Sequence, residues 1–403
     1  MRRVAVTGVG IVSALGVTRE QTWQQMLEGV CGVRAVTVFD ATGYRSQVAA
    51  EVPMERVQAG QSARHRRRLS RADQIGLLAA DEALADAGLL DTSIDRRRVG
   101  VMLGAGTADL IRNESYYFTT LEAGIARARP SQAWNHFANT PGDVIAQKHG
   151  FEGPRACVAA ACSSSTIAIG QAMDAIRLGR VDAAVAGGTD ALARLTFSGF
   201  NALRLMDSNP CRPFERTRAG MNMGEGAGML VLEDMEHARR RGAHIYAELA
   251  GYSLACEAFH PTAPQPDGRP VATVVERALA DARVNAADVD HINAHGTATP
   301  QNDTAEARAF RTVFGDRVSH LPVTSLKSMI GHCLGAAGAL EAAVMILSVA
   351  RGLIPPTINH AETDPECALD IVANVTREGP VRCAVSTSLA FGGNDSALVV
   401  CAA

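Results

Sequence analysis

Between Gly331 and Arg351 the chain is small or apolar on every side, with LGAAGALEAAVMIL at its centre. A helix with no polar face is buried all round. The run is too short and too rich in glycine to be read as a membrane span, and no stretch of about 18 apolar residues occurs elsewhere. The chain therefore needs enough other structure to enclose such a helix, and its 403 residues supply it.

The rest alternates short β-branched or Ala-rich runs with longer helical patterns, which is the signature of an α/β fold. Strands are expected at Val4–Thr7, Val99–Leu103, Cys157–Ala161, Ala183–Ala186, Met229–Glu233, His291–Ala294, Val323–Ser325, Cys383–Ser386 and Ala397–Cys401. Helices are expected at Arg71–Ala87, Asp143–His149, Ser164–Leu178, Met235–Arg241, Val271–Ala282, Asp303–Phe314 and Gly331–Arg351. A weak repeat links VGVMLGAGT, a strand and a buried helix near Cys162 to HINAHGTAT, VTSLKS and a buried helix near His332. Two similar halves follow, residues 1–250 and 251–403.

Charge and composition narrow the function. Lys+Arg is 39 and Asp+Glu 42, a net charge of −3, which disfavours a nucleic-acid-seeking protein. Aromatics at 4% offer no base-stacking platform. Nine cysteines without a CxxC ladder suit a reducing, cytoplasmic compartment. The N-terminal MRRVAVTGVGIVSALG mimics a leader, yet Thr7, Gly8 and Gly10 break its apolar stretch, and it reads as a strand ending at Thr7 and a glycine turn. Gly8-Val9-Gly10 also invites a dinucleotide-binding oxidoreductase, but the third glycine of that fingerprint is Ser13.

Four stretches carry chemistry. In AAACSSS, Cys162 sits at a strand-to-helix turn, where free N–H groups and the helix dipole would lower its thiol pKa. In HINAHGTAT, His291 and His295 are four apart. On a strand they lie about 13 Å apart, too far for one metal, so His295 reads as a loop-borne imidazole. In LKSMIGHCLGAAG, Lys327 and His332 stand directly before the buried helix. In SLAFGGND, Gly392 and Gly393 allow either a hairpin or a close backbone approach to a reactive centre. One cysteine and two histidines make a plausible thiol-centred site.

These motifs, in this order, resemble a β-ketoacyl-acyl-carrier-protein synthase, the condensing enzyme of type II fatty acid and polyketide synthesis. The resemblance runs from VAVTGVGIVSALG to FGGNDSALVV and includes GEGAGMLVLE. It implies a five-layered αβαβα thiolase-like fold of two related halves, normally dimeric. It implies that Cys162 accepts the acyl group and that His295 and His332 assist decarboxylation of malonyl-acyl-carrier protein. Lys327 resembles the active-site lysine, with Asp303 and Glu306 as its supporting carboxylates. Phe391 resembles a gate whose backbone N–H joins that of Cys162 in an oxyanion hole. Leu389-Ala390 departs from the usual Gly-rich stretch before that gate. No metal or organic cofactor is implied; the phosphopantetheine arm arrives with acyl carrier protein. The implied assembly is a homodimer, or the catalytic half of a heterodimer with a chain-length-factor-like subunit, with no nucleic acid and no membrane. Arg64, Arg67 and Arg68, in the basic run before Arg71, resemble carrier-protein docking residues.

Overall fold

A computed structural model describes residues 2–62, 67–108, 110–129 and 137–403. Among these, eleven strands share one hydrogen-bonded sheet. In chain order they are β1 Val4–Val12, β2 Val99–Gly104, β3 Arg155–Val158, β4 Ala183–Asp190, β5 Gly226–Asp234, β6 Ala247–Cys256, β7 His291–Asn293, β8 Pro322–Thr324, β9 Asp370–Ile371, β10 Cys383–Ser388 and β11 Asn394–Cys401. Their spatial order is β9-β8-β7-β10-β11-β6-β1-β5-β4-β2-β3.

That order contains a repeat. Outward from the β1–β6 contact it runs β1-β5-β4-β2-β3 on one side and β6-β11-β10-β7-β8 on the other. Each set of five follows its first, fifth, fourth, second and third strand. Each also has two antiparallel pairings followed by two parallel ones. β9 is an extra edge strand.

Period-two alternation then sorts side chains into layers. Ala184, Ala186, Leu230, Leu232, Leu398 and Val400 face a central layer with Ile169, Met173, Leu340 and Met345. Ala183, Val185, Met229 and Val231 face outward onto Ile75, Leu84 and Ile145. Val385 and Val399 face the opposite outer layer, onto Val274 and Phe310. The helices Ser164–Arg177 and Ala337–Arg351 fill the centre and touch strands of both sets. The result is the five-layered αβαβα arrangement. Each fully buried Leu or Ile there stabilises the fold by about 1.5–3 kcal/mol.

Several expectations need correction. β1 does not turn at Gly8 but continues to Val12. Its glycines are there for packing: a Cβ on Gly8 or Gly10 would stand 2.1 or 1.9 Å from the carbonyl oxygens of Ala83 and Ala79 on the Arg71–Ala87 helix. The dinucleotide reading loses its glycine turn with it. β6 has no expected counterpart, because AELAGYSLAC lacks any β-branched residue. The third strand ends at Val158 rather than Ala161. The buried helix begins at Ala337, after a short turn of 3₁₀ helix at Leu334–Ala336. Counted together, Leu334–Arg351 is long and apolar enough to cross a membrane, contrary to the length argument above; 83% of it is buried inside the protein, as a core helix would be.

Candidate active site

The chain leaves β3, passes Ala159 and Ala160, and enters a 3₁₀ turn at Ala161–Ser163 that leads into the Ser164–Arg177 helix. Ala161 takes a left-handed backbone, φ 48°, a conformation costly for a residue with a Cβ. Ser164 secures the turn: its Oγ accepts from the Ala160 N–H at 2.8 Å and donates to the Ala161 carbonyl at 2.6 Å. This geometry presents Cys162 to a cavity of about 440 Å³.

The thiol is not acidified there. Burial pushes Cys162 up to about 12, against the ammonium of Lys327 and a hydrogen bond from the Phe391 backbone N–H. The helix-end field on which the sequence expectation rests is worth about 0.3–1 kcal/mol at an exposed site. Desolvation of a nearly enclosed thiolate outweighs it.

His332 Nε2 lies 3.0 Å from Cys162 Sγ. Its Nδ1 accepts from the Leu334 N–H at 3.2 Å, so the neutral ring carries its proton on Nε2 and points it at the sulfur. His295 is set in the same way. Lys327 Nζ, which can only donate, lies 3.3 Å from His295 Nδ1 and leaves the ring proton on Nε2. The rings meet edge to face, with centroids 5.3 Å apart. Burial, followed by the charge of Lys327, lowers the proton affinity of both rings well below the usual histidine value. The site therefore holds two neutral N–H donors beside one sulfur. His291, by contrast, is a structural residue paired with Thr324 Oγ1 at 2.9 Å.

The carboxylates differ from expectation. Lys327 is ion-paired with Glu341 of the central helix, and both side chains are buried. Asp303 and Glu306 are not hydrogen-bonded to the lysine, although its charge acts on Glu306; they hold the backbone around His295. Glu306 accepts from the His295 and Gly296 N–H groups at 2.8 and 2.7 Å and from Thr387 Oγ1 at 2.8 Å. Asp303 accepts from the Ala298 and Phe214 N–H groups at 3.1 and 2.8 Å. A carboxylate that accepts N–H bonds fixes a loop directly, whereas reaching the lysine from this helix would strip those donors of partners.

Glu341 had a signal in the sequence. It is the one charged residue within LGAAGALEAAVMIL, and a buried carboxylate requires a partner. Asp190 carries no comparable signal in the sequence. Fully buried at the end of β4, it accepts from the N–H groups of Gly106, Thr107, Ala108 and Gly335 at 2.6–2.9 Å. It thereby ties the loop after β2 to the turn that follows His332.

Phe391, Gly392 and Gly393 lie in the turn joining β10 to β11, so the hairpin and the close approach are both realised. Gly392 and Gly393 have φ of 82° and 73°, which favours glycine at both positions. The Phe391 N–H reaches Cys162 Sγ, and the Phe391 ring stacks on Phe200 at 5.4 Å. Leu389 packs with Val271, Ala272 and Ala309 and also lines the cavity. Arg67 and Arg68 are exposed just before Ser70, which caps the Arg71–Ala87 helix. Arg64 lies outside the described residues.

Cys162, His295 and His332 each offer a ligand atom within 4.8 Å of the others. They do not fit a resident metal. The Nε2 atoms that face the sulfur carry protons, and the Lys327 ammonium stands beside His295.

Residues 1–238 match the family model for the beta-ketoacyl synthase N-terminal domain, and residues 246–361 the model for its C-terminal domain. The tetracenomycin polyketide synthase ketoacyl synthase alpha subunit of Streptomyces glaucescens is 38% identical, over 99% of this chain and 97% of that protein. The 3-oxoacyl-acyl-carrier-protein synthase 2 of Staphylococcus aureus (strain COL) is 36% identical, over 99% and 98%. The solved structure of the ishigamide ketosynthase/chain length factor superposes with a TM-score of 0.93 at 37% identity, covering 100% of this chain and 99% of that one.

Proposed function

Since this chain belongs to the beta-ketoacyl synthase family, we propose that its cavity performs a decarboxylative Claisen condensation with Cys162 as the acyl carrier. The observation that carries this reading is the pair of neutral Nε2–H donors, His295 and His332, set against one cysteine sulfur.

The steps follow from that geometry. Cys162 Sγ attacks the thioester carbonyl of an acyl-carrier protein; the pantetheine thiol leaves with the proton that Cys162 gives up. Malonyl-carrier protein then enters and its C–C bond breaks, releasing CO₂. The electron pair becomes an enolate whose oxygen accepts from both imidazoles. Such preorganised donors act where charge develops and are typically worth 10²–10³ in rate each, a rough order of magnitude. The enolate carbon attacks the acyl-Cys162 carbonyl. The backbone N–H groups of Phe391 and Cys162 hold the tetrahedral oxyanion until Cys162 leaves as a thiolate and takes a proton from water. Lys327, anchored by Glu341, keeps His295 in the donor tautomer. No metal or bound organic cofactor takes part; the phosphopantetheine arm is the partner's.

Acyl carrier protein is thus the proposed partner, docking on Arg67, Arg68 and Arg64. The proposed assembly is a dimer, with a second copy or with a chain-length-factor-like subunit, of the kind named for the ishigamide relative. It is supported by the exposed edge strand β3 and by Tyr117, Phe118 and Leu121, exposed on the Leu110–Ala123 helix. Leu121→Glu should shift light scattering toward monomer; an unchanged dimer refutes that surface. Nine free cysteines support a reducing, cytoplasmic setting.

The function is tested by supplying acyl- and malonyl-acyl-carrier protein together. The expected result is β-ketoacyl-carrier protein with equimolar CO₂; acyl transfer with no new carbon–carbon bond would refute it.

A further inference from the structure

Two cysteines that the mechanism does not use meet across the β10–β11 hairpin. Cys383 is the first residue of β10 and Cys401 the last of β11, and antiparallel pairing sets them directly opposite each other. One step further along, the Ala402 N–H donates to the Arg382 carbonyl at 2.8 Å. Opposed pairs in an antiparallel ladder alternate, so Cys383 and Cys401 form a non-hydrogen-bonded pair, with Cα atoms about 4.5 Å apart and side chains at their closest. The Cys383 carbonyl agrees with this: it accepts from the Asp290 N–H at 2.8 Å, on the β7 side and away from β11. The two sulfurs lie 3.0 Å apart across 18 residues of sequence. Disulfides join cysteines whose Cα atoms are about 4.4–6.8 Å apart, so the backbone already stands where such a bond needs it.

Access to the pair is one-sided. Cys383 is 4% exposed, whereas Cys401 is only half-buried. Cys401 is also the readier thiolate: the hydrogen bond from Cys383 lowers its pKa against burial, and the same bond, together with burial, raises that of Cys383. Of the carboxylates that act on the pair, Glu248, Asp290 and Asp288, the first two are ion-paired with Arg3 and Arg382. The arrangement is an attacking sulfur that a small reagent can reach, with a second sulfur directly behind it to resolve the product.

We propose that Cys383 and Cys401 are a redox-modification site: a dithiol that low-molecular-weight disulfides convert reversibly into a cross-strand disulfide. Cys401 thiolate attacks one sulfur of the reagent, whose S–S bond breaks and releases a small thiolate. Cys383 then gives up its proton and attacks the Cys401 sulfur of the mixed disulfide, expelling the second small thiolate. Two protein thiols are oxidised, one small disulfide is reduced to two thiols, and both protons end on those thiols. The new bond closes the base of the hairpin whose far end carries Phe391, and Cys162 takes no part in the exchange. In a reducing setting the pair rests as the dithiol and closes only under oxidation.

The test incubates the folded, fully reduced protein with excess oxidised glutathione, without substrate. Remaining thiols are then alkylated, and peptides are mapped by mass spectrometry without reduction. In the wild type the peptides containing Cys383 and Cys401 should be joined, with the loss of two hydrogens, and dithiothreitol should separate them again. Cys383→Ser removes the resolving sulfur, so Cys401 should instead keep a stable glutathione adduct. Cys401→Ser removes the accessible sulfur, and Cys383 should stay a free thiol. The wild-type result decides the proposal even where a variant fails to fold. Wild-type protein in which both cysteines remain open to alkylation would overturn it. So would a glutathione adduct on Cys401 beside a free Cys383 thiol, or a bond from either cysteine to a different one.

Discussion

Lys327 and Glu341 form a buried ion pair across 14 residues of sequence, and the same ammonium lies 3.3 Å from His295 Nδ1. One charge pair thus joins the core helix to the proton placement of a candidate catalytic ring. Removing one partner of a buried pair typically costs about 3–5 kcal/mol, while an apolar replacement of both can be neutral. Glu341→Gln should therefore destabilise the protein by several kcal/mol in chemical denaturation. The double change Lys327→Met with Glu341→Leu should recover most of that stability while condensation stays slow, because His295 has lost its donor. A double variant of normal activity would contradict the tautomer role.

His295→Ala and His332→Ala should separate the two half-reactions. Each removes one N–H donor from the enolate but leaves the Cys162 turn intact. Self-acylation should persist, while CO₂ release from malonyl-carrier protein falls by about 10²-fold or more. Normal CO₂ release in either variant would refute the assignment.

Acid should destabilise the protein through its buried imidazoles. Burial, with Arg377 adding, lowers His291 to about 3. Its unfolded value is about 6.5. The stability that its neutral ring contributes is thus fully present above about pH 6.5 and is lost as pH falls toward about 3, at up to about 1.4 kcal/mol per pH unit. Asp190 and Glu341, raised to about 6 by burial, act in the opposite sense as pH rises and are common to both proteins compared. His291→Gln should therefore show a shallower loss of stability between about pH 6.5 and about pH 4. Equal slopes would show that the ring is not the group responsible.

Carrier docking separates by substrate. Arg67→Glu with Arg68→Glu should raise KM for acyl-carrier protein, and added salt should weaken the wild type in the same direction. A small acyl thioester should turn over almost unchanged. Equal losses on both substrates would mean that these arginines serve the fold.

Much of this site is legible in the sequence. Cys162, His295, His332 and Phe391 lie in separate motifs of the chain, and each motif shows its turn through glycine or serine chemistry. Their convergence is what the fold adds. The hydrogen-bonded partner of Lys327 is Glu341 rather than Asp303 or Glu306, whose oxygens are taken by N–H donors. The lone carboxylate Glu341 in an apolar helix was the better clue. The proton affinity of Cys162 was misjudged because sequence shows a helix start but not the burial around it. β6 escaped because its alternation uses Ala, Gly and Ser, which carry little strand propensity.

The central claim is that one sulfur, Cys162, carries the acyl group. Intact mass and peptide mapping after incubation with acyl-carrier protein test it most directly. The expected result is a single acyl adduct on the peptide containing Cys162, absent from Cys162→Ala. An adduct that persists in that variant, or that maps to another of the nine cysteines, would contradict the account.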